Sequence, residues 1–471
     1  MSNFTLLVTP IPFQSPESLF ARLVERPYAL WLDSALLREH FGRYAYLACD
    51  PFRVLRVANN VTWVDDLLQQ GNPWDVIAAE WRSFHLPRLS GLPPFQTGMA
   101  GFFGYEMGRY LERIPVPPAD IPLPDAVLGF YDVVVAFDLA EERAWVLASG
   151  FPEREDAARR ERAEARTHQM LSWLSASSPE DAIFLPPLRP TSNFSPSSYR
   201  EAVARVREYI LAGDIFQANL SQRFSAPLPA DYPVFALYRR LRKQNPAPYA
   251  GYFDFGEGVL ASASPERFLR LEAGWVDTRP IKGTRPRGRT PEEDAALAQE
   301  LLNSEKDRAE NTMIVDLLRN DLSRVCEPGT VQVPRLCGLE SYATVHHLVS
   351  TIIGRLEAGR DALDLLRAAF PGGSITGAPK IRAMEIIAEL EPNPRGPYCG
   401  SLGYWAFNGD MDTSILIRTL IFTKDRVLFS VGGGIVADSE PDSEYHETLD
   451  KAYALLRALG AFQPESIGLS P

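Results

Sequence analysis

The sequence has 471 residues, of which 45% are hydrophobic, so the chain can bury a large core, and its length suggests two to three domains or one large domain plus a smaller one. Its formal net charge of −12 excludes a general nucleic-acid binder, because such proteins carry an excess of Lys and Arg. The 4 cysteines are widely spaced and form no CxxC pair, which excludes a disulfide framework and a thiolate zinc site and indicates a reduced, cytoplasmic setting.

The amino-terminal region, residues 1–150, consists largely of short apolar runs separated by Gly and Pro. Its beginning contains neither a basic stretch nor a long apolar run, so we expect no signal peptide and no transmembrane span. The runs Tyr44–Ala48, Met99–Tyr105 and Val133–Phe137 have the length and the residue types of strands. The pattern predicts a mostly antiparallel sheet.

Residues 151–193 are predicted to form a charged helix and then a linker. Charged residues crowd the helical segment Pro152–Leu174, and they favour a solvated helix face. Ser- and Pro-rich stretches at Ser175–Pro179 and Leu185–Pro190 follow the helix as a linker, which places a domain boundary there.

The second half, residues 194–460, opens with a helix that Ser195 or Ser198 can cap, with Val203, Val206, Ile210 and Leu211 on one side. The segment Ile215–Phe224 then has the pattern of a strand. Its polar residues fall on one face by the period of two: Gln217, Asn219, Ser221 and Arg223. Such a row either faces water or lines a site, and the pattern alone favours water.

A lysine lies in a short basic segment, residues 277–288, that resembles a strand running into a turn. Gly283 and Gly288 allow a ligand or another strand to approach closely. The neighbouring arginines would lower the pKa of Lys282 and would suit an anionic ligand: Arg279, Arg285, Arg287 and Arg289. Composition alone favours a solvated basic turn.

Two helix starts follow, at Thr290 and at Ser304, each with an N-capping residue and a nearby acid. On the second helix Glu310 is in line with Ile314 and Leu317, on the apolar side. A carboxylate there is costly unless a positive group meets it. Glu310 therefore either reaches solvent at the edge of the stripe or contacts a metal or ligand.

Glycine-rich segments characterise the last part of the chain. Pro371–Lys380 links predicted helices at Asp361–Ala369 and Pro379–Leu390, which suggests an anion-binding helix start, although it is not a Walker A loop. Strands are predicted at Tyr398–Phe407, Ser414–Thr423 and Val427–Val431.

Three glycines, residues 432–434, follow the last strand, and their backbone N–H groups can approach a carboxylate or phosphate. A helix begins near Ser443, and its spacing places Glu444 and Glu447 on one face. Acids in the first turn of a helix also interact favourably with its dipole, so helix stability alone can explain Glu444 and Glu447.

Taken together, the segments in this order resemble the chorismate-utilising enzymes: Ile215–Phe224, Ser264–Phe268, Pro280–Arg285, Glu310–Asp321, Pro371–Lys380, Tyr398–Tyr404, Asp410–Arg418 and Gly432–Lys451. The resemblance is specific over Phe194–Leu459 and looser in the first half, at Leu32–Ala35, Gly42–Ala48 and Gly101–Glu106. It implies an α+β fold, a large two-layered antiparallel β-sandwich with helices packed outside.

Two positions distinguish members of this family. Gln217 stands where the members that add water carry a lysine, which argues against water as the nucleophile. Lys282 stands in a Pro-Ile-Lys-Gly-Thr segment, where anthranilate-forming members usually have alanine. The resemblance therefore implies amination of chorismate at C4 to give 4-amino-4-deoxychorismate, for the synthesis of para-aminobenzoate and folate.

The same resemblance implies roles for individual residues. Glu266 would be the general acid and Lys282 a covalent nucleophile. Substrate contacts would come from Thr284, His347, Ser374, Tyr398, Arg418, Gly432, Gly434 and Lys451. Glu310, Glu447 and Glu444 would bind Mg²⁺, and Ser34, Pro248 and Tyr249 match a tryptophan pocket.

The implied partners are chorismate and a glutamine amidotransferase subunit that supplies ammonia, with neither nucleic acid nor membrane. Three alternatives stay open at this point. They are an anthranilate synthase component I, a non-catalytic binding subunit of the same fold, and a Schiff-base lyase that uses Lys282.

Overall fold

The chain folds into two large β-sheets with helices on their outer faces. A computed structural model describes residues 4–36, 42–177, 184–341 and 345–461. The strands of these residues are β1 (Leu7–Ile11), β2 (Leu30–Asp33), β3 (Tyr44–Ala48), β4 (Arg53–Ala58), β5 (Val61–Val64), β6 (Leu67–Gln69), β7 (Gly98–Phe103), β8 (Ala126–Tyr131), β9 (Val133–Asp138), β10 (Arg143–Ala148), β11 (Thr191–Ser192), β12 (Gln217–Pro227), β13 (Tyr249–Asp254), β14 (Val259–Ser264), β15 (Arg267–Glu272), β16 (Trp275–Thr278), β17 (Ile281–Pro286), β18 (Gln332–Ser341), β19 (Val345–Arg355), β20 (Gly377–Ala378), β21 (Ser401–Ala406), β22 (Met411–Ile415), β23 (Thr419–Phe422) and β24 (Arg426–Ile435).

Helices connect these strands. They are α1 (Pro16–Phe20), α2 (Pro73–Arg82), α3 (Asp156–Leu174), α4 (Pro196–Leu211), α5 (Val234–Gln244), α6 (Pro291–Asn303), α7 (Glu305–Ser323), α8 (Ala362–Ala369), α9 (Lys380–Leu390) and α10 (Pro441–Ala458), with short 3₁₀ helices at Tyr105–Tyr110 and Gly373–Ile375. Ser195, Thr290 and Ser304 cap α4, α6 and α7, as predicted. Within the described ranges, none of the helices is long and apolar enough to cross a membrane.

In the part of the chain that the structure describes, each sheet has 12 strands, and neighbouring strands pair in antiparallel fashion. The first sheet has the order β1-β10-β9-β3-β2-β13-β14-β23-β24-β12-β11, with β20 paired to β12. The second has the order β17-β19-β16-β15-β22-β21-β7-β8-β4-β5-β6, with β18 paired to β19. The predicted α+β sandwich is confirmed.

Successive side chains of the first sheet's strands pack into two different cores, because side chains along a strand point alternately to its two faces. In β9, Val133, Val135 and Phe137 join a core formed with helices α1, α3, α5 and α10. The alternate residues Val134 and Ala136 pack in a second core between the two sheets. On the second sheet, helices α2, α7 and α8 pack against the outer face and form a third core.

Strands from both halves of the sequence occur in both sheets. In the first sheet β2 pairs with β13, so Trp31 lies opposite Tyr252. In the second sheet β7 pairs with β21, and Phe102 lies opposite Leu402. The regions 1–150 and 194–460 therefore share one sandwich.

The charged helix α3 differs from the prediction of a solvated face. Arg159 is buried and donates hydrogen bonds to the backbone oxygens of Phe4 and Ser149, at 3.0 and 2.9 Å. Arg162 and Arg166 pair with Asp132, whose side chain is fully buried. These arginines attach the helix to the first sheet.

The predicted strand Ser414–Thr423 is two strands in different sheets. The chain leaves the second sheet at Ile415 and enters the first at Thr419. Arg418 lies at this crossing with a backbone φ of +51°. Leu211 is a smaller correction, because its side chain is 74% exposed at the end of α4 and not on the packed face.

Candidate active site

Ser374 joins the two candidate catalytic residues. Glu266 follows the end of β14, Lys282 lies in β17, and Ser374 lies in the 3₁₀ helix Gly373–Ile375. The Ser374 hydroxyl donates to Glu266 Oε1 at 2.8 Å, and Lys282 Nζ donates to the Ser374 carbonyl at 3.3 Å. Three separate segments thus bring an acid and an amine to one place.

Burial raises the pKa of Glu266 to about 6, because the carboxylate loses contact with water. The Ser374 hydrogen bond and the positive charges of Lys282 and Arg418 act in the opposite direction. Glu266 therefore retains a proton closer to neutral pH than an ordinary glutamate, as a general acid requires.

Burial also lowers the pKa of Lys282, and the nearby Lys451 ammonium acts in the same direction. Glu310, Glu266 and Glu447 oppose this shift. The sequence predicts a lowered pKa for Lys282, and the structure gives the same direction. A lowered pKa favours the neutral amine that a nucleophile needs.

The predicted cause of the Lys282 shift is wrong, because burial and Lys451 lower this pKa, and three of the four neighbouring arginines pair with carboxylates elsewhere. Arg279 pairs with Glu340, Arg285 with Glu300 at 2.7 Å, and Arg287 with Asp294 at 2.6 Å. The prediction of a solvated basic turn also fails for Lys282, which is partly buried beside Ser374.

Thr284 and His347 form a pair across β17 and β19, with the Thr284 hydroxyl 2.9 Å from His347 Nδ1. Burial lowers the pKa of His347 to about 4, and Arg418 adds to this effect. The imidazole is therefore neutral at physiological pH, and it presents a polar but uncharged surface beside Lys282.

The glycines of β24 point their backbone groups away from β12. Gly432 and Gly434 lie opposite Ser221 and Asn219, whose N–H groups donate to Glu391 and to the Thr376 carbonyl instead of to β24. In an antiparallel pair, such positions direct N–H and C=O to the other edge.

That other edge of β24 is open at its glycine end. Among the described strands, β23 pairs with β24 only at Val427 and Leu428. Lys451 Nζ donates to the Gly432 carbonyl at 2.8 Å, which shows that this edge faces the candidate site. Arg418 precedes β23, where burial lowers its pKa and the charge of Glu266 acts in the opposite direction. The edge and Arg418 together suit a carboxylate.

The polar row of β12 is buried, contrary to the preference for water. Gln217 is 0% exposed, and Asn219 and Ser221 are also buried. Both polar side-chain atoms of Gln217 lack a hydrogen-bond partner in the described structure. A Cβ atom on Gly434 would lie 2.4 Å from Gln217 Nε2, so a side chain at this position would displace the amide.

Three candidate metal-binding carboxylates approach one another from α7 and α10. A Cβ atom on Gly433 would lie 3.2 Å from Glu444 Oε2 and 3.4 Å from Glu447 Oε1, so the glycine makes space for both acids. Glu310 interacts electrostatically with Glu447. In residues 4–36, 42–177, 184–341 and 345–461, no group of three His, Cys, Asp or Glu forms a ready-made metal site.

The three acids differ in their electrostatics. Burial raises the pKa of Glu310 and of Glu444, and Ser439 donates a hydrogen bond to Glu444 at 2.6 Å. Burial also disfavours ionisation of Glu447, but Lys451, at 2.7 Å, together with Lys282 and Lys306 outweighs it, and the pKa of Glu447 is lowered. The donors are all carboxylate oxygens, which suit a hard divalent cation.

Tyr398 lies in the interior, and the guanidinium of Arg395 is 5.8 Å from the centre of its ring. Its neighbour Cys399 donates a backbone hydrogen bond to the Leu416 carbonyl at 2.9 Å, close to the crossing that carries Arg418. Arg395 and Lys306 were not identified from the sequence. The charge of Lys306 acts to lower the pKa of Glu310, and the spacing of four residues between them on α7 could have indicated this contact.

The residues of the predicted tryptophan pocket lie together. Ser34, Pro248 and Tyr249 line a cavity of about 330 Å³. Arg267, the residue after Glu266, lines the same cavity, and its guanidinium is 5.0 Å from the centre of the Tyr249 ring. Tryptophan as the ligand stays a prediction.

Replacing Ser374 by alanine is expected to raise the pKa of Glu266 above about 6, because the lost hydrogen bond favours the ionised carboxylate. The rate of a reaction that needs protonated Glu266 would then persist to higher pH. A pH profile of kcat/KM measures the shift, and an unchanged descending limb would contradict it.

A buried acid and a lysine with shifted pKa values, beside Arg418 and a glycine edge that suit a carboxylate, are typical of an enzyme that acts on a small anionic substrate. The chain belongs to the chorismate-binding enzyme family, whose model matches residues 30–457. The resemblance found in the sequence is thereby confirmed.

Relatives with two different activities are equally similar. The chain is 42% identical to aminodeoxychorismate synthase component 1 of Klebsiella aerogenes, over 94% of this chain and 96% of that protein. It is also 42% identical to anthranilate synthase component 1 of Thermus thermophilus, over 95% of each. A crystal structure of anthranilate synthase component I from Streptococcus pneumoniae matches with a TM-score of 0.80 at 36% identity, covering 90% of this chain and 94% of that one. The protein is thus a chorismate-utilising enzyme.

Proposed function

We propose that the enzyme replaces the C4 hydroxyl of chorismate by ammonia and forms 4-amino-4-deoxychorismate and water. The observation that carries this proposal is Lys282, held beside Glu266 by Ser374 and with a lowered pKa. Anthranilate-forming members usually have alanine at this position and so lack an amine there. The product retains the enolpyruvyl group, and it leads to para-aminobenzoate and folate.

Hydroxide is a poor leaving group, so the reaction needs an acid and fixed geometry. Glu266 would donate its proton to the C4 oxygen as the C4–O bond breaks, and water would leave. Its pKa of about 6 supports this role, since the proton is held at near-neutral pH and yet can be transferred.

Lys282 would attack C2 as neutral amine while the C4 hydroxyl departs as water. The C1–C2 and C5–C6 double bonds would shift by one position each, so the ring keeps two double bonds. Ammonia would then add at C4, the double bonds would return, and the C2–N bond to Lys282 would break. One proton from the ammonia nitrogen restores Glu266, and the net reaction is chorismate plus ammonia to product plus water.

Substrate carboxylates would be held from two directions. The enolpyruvyl carboxylate would meet Arg418, Tyr398 and the N–H groups of Gly432 and Gly434 at the open edge of β24. Lys451 would offset the charge of the ring carboxylate. His347, Thr284 and Ser374 would line the ring, and the neutral state of His347 supports its place there.

We propose Mg²⁺ as the cofactor, held by Glu310, Glu447 and Glu444. The all-oxygen donor set and the space that Gly433 leaves beside two of the acids support this fit. When bound, the ion would supply positive charge and a fixed position opposite the ring carboxylate.

Replacing Glu310 by glutamine is expected to weaken Mg²⁺ binding by at least about tenfold, since even groups behind the ligands of a metal contribute that much. Isothermal titration with MgCl₂ in the presence of chorismate measures it. Glu305→Gln is the control, because Glu305 is exposed in the first turn of the same helix. Equal affinities in both variants would exclude Glu310 as a ligand.

Ammonia would come from a glutamine amidotransferase subunit in a heterodimer. The relatives named component 1 support this, because their names imply a second component. The four cysteines are free and buried, which supports a reduced cytoplasmic location.

The test is incubation of the purified chain with chorismate, Mg²⁺ and excess ammonium at near-neutral pH, where part of Glu266 keeps its proton, followed by chromatography and mass analysis. Aminodeoxychorismate is the expected product. Anthranilate would favour the second candidate, anthranilate synthase component I, which the 42% identical Thermus relative supports. Unconsumed chorismate would favour a binding subunit, and an imine trapped on Lys282 by borohydride would indicate a lyase.

A further inference from the structure

Arg395 forms a buried ion pair that lies behind the candidate site. Its side chain is 2% exposed, and that of Glu391 is 5% exposed. Arg395 Nε donates to Glu391 Oε2 at 2.9 Å and Nη2 donates to Glu391 Oε1 at 2.7 Å. This two-point contact fixes the plane of the guanidinium.

The remaining donors of Arg395 reach backbone that carries site residues. Nη1 donates to the carbonyl of Ile375, the neighbour of Ser374, at 2.9 Å. Nη2 donates to the carbonyl of Asn219 in β12 at 2.6 Å. The guanidinium also lies 5.8 Å from the centre of the Tyr398 ring. One side chain therefore contacts three separate segments of the site.

The ion pair is itself fixed on both sides. Glu391 Oε1 accepts hydrogen bonds from the backbone N–H and from the hydroxyl of Ser221, each at 2.8 Å. The carboxylate of Glu106 accepts the backbone N–H groups of Arg395 and Gly396, each at 2.8 Å. The guanidinium has little freedom to move, so it defines where its neighbours lie.

Buried ion pairs add little net stability, because the loss of hydration offsets the attraction between the charges. The contacts of Arg395 point to a different role. We propose that Arg395 is a positioning residue for the chorismate reaction, holding the Ser374 loop, strand β12 and Tyr398 in register. This inference rests on the proposed function for its kinetic consequence, but its structural consequence stands without it.

The Ser374 hydroxyl transmits the position of the loop to the acid. It lies 2.8 Å from Glu266, and the Ser374 carbonyl lies 3.3 Å from Lys282 Nζ. If Ile375 moves, both contacts lengthen. Loss of Arg395 should therefore shift the pH profile in the same direction as Ser374→Ala, an effect that general destabilisation would not produce.

The test variant is Glu391→Gln/Arg395→Met, which removes the charges together and keeps similar volumes, so that no buried charge is left alone. The matched control is Asp132→Asn/Arg166→Met. That pair is also buried, at 0% and 12% side-chain exposure, but it joins α3 to the first sheet and contacts none of the site residues. Arg395→Lys is a second variant if the double variant does not fold.

Two readouts are measured on the full chain. Hydrogen exchange followed by mass spectrometry should show amides in residues 371–380 and 217–221 exchanging about tenfold faster in the test variant than in the control. With chorismate, Mg²⁺ and ammonium, kcat should fall about 100-fold, as expected when reacting groups are misplaced. The descending pH limb should move upward.

The outcomes separate the two proposals. Unchanged exchange in both segments, or an unchanged kcat and pH limb in an active enzyme, would overturn the role of Arg395. If the unmutated enzyme does not aminate chorismate, the proposed function is overturned. If exchange is nevertheless faster in the test variant, Arg395 is retained as the residue that orders these segments.

Discussion

Replacing Lys282 by alanine is expected to lower kcat for aminodeoxychorismate formation by about 100- to 1,000-fold. Loss of a nucleophile costs up to roughly 10⁶-fold when nothing replaces it, but ammonia can here attack C4 directly at a reduced rate. Rapid-quench kinetics with chorismate, Mg²⁺ and ammonium measures the change. The reason is geometric, because Lys282 Nζ is held beside the acid through Ser374.

The variant Lys282→Arg tests whether the reaction needs a nucleophilic amine or only a positive charge at this position. Arginine retains a positive charge but does not lose its proton in proteins, so this variant should be as slow as Lys282→Ala. Lys243→Ala is the control, since Lys243 is exposed at the end of α5. Full activity in Lys282→Arg would mean that the charge, and not attack by the amine, is what the reaction uses.

Replacing Glu266 by glutamine is expected to reduce kcat by about 100- to 10,000-fold, the contribution of a well-placed general acid. Glutamine is close to glutamate in size and can still accept the Ser374 hydrogen bond, so the loss reports the proton. The measurement is steady-state turnover at saturating chorismate, with thermal unfolding as the check that the fold is intact.

The pH dependence gives a second test of Glu266. The acid must be protonated to act, so activity is lost as pH rises through its pKa, which is about 6 in the free enzyme. At constant free ammonia, kcat/KM should descend with a midpoint near pH 6 in the unmutated enzyme. The limb should be absent in Glu266→Gln, and its persistence there would assign the proton to another group.

The sandwich could be predicted because strand periodicity and turn residues are local signals. The alternation in Val133–Phe137 corresponds to two faces buried in two different cores. The sharing of both sheets by both halves could not be read, since pairings such as Trp31 with Tyr252 depend on long-range contacts. The crossing at Arg418 was missed because apolar residues continue through it without a turn signal.

The electrostatic partners of the site were the hardest to predict. Arginines lie beside Lys282 in the sequence, but in the folded chain they form ion pairs with acids such as Asp294 and Glu300. Burial, a property of the fold, is the main cause of the Lys282 shift. Arg395 was missed because its contacts to the site, apart from its pairing with Glu391, are to backbone carbonyls, which every residue has.

The most direct test of the central claim is the ratio of pyruvate released to chorismate consumed by the unmutated enzyme with ammonium and Mg²⁺. Amination through Lys282 that keeps the enolpyruvyl group predicts consumption of chorismate with no pyruvate. Release of one pyruvate for each chorismate consumed would contradict the account and identify the enzyme as an anthranilate synthase.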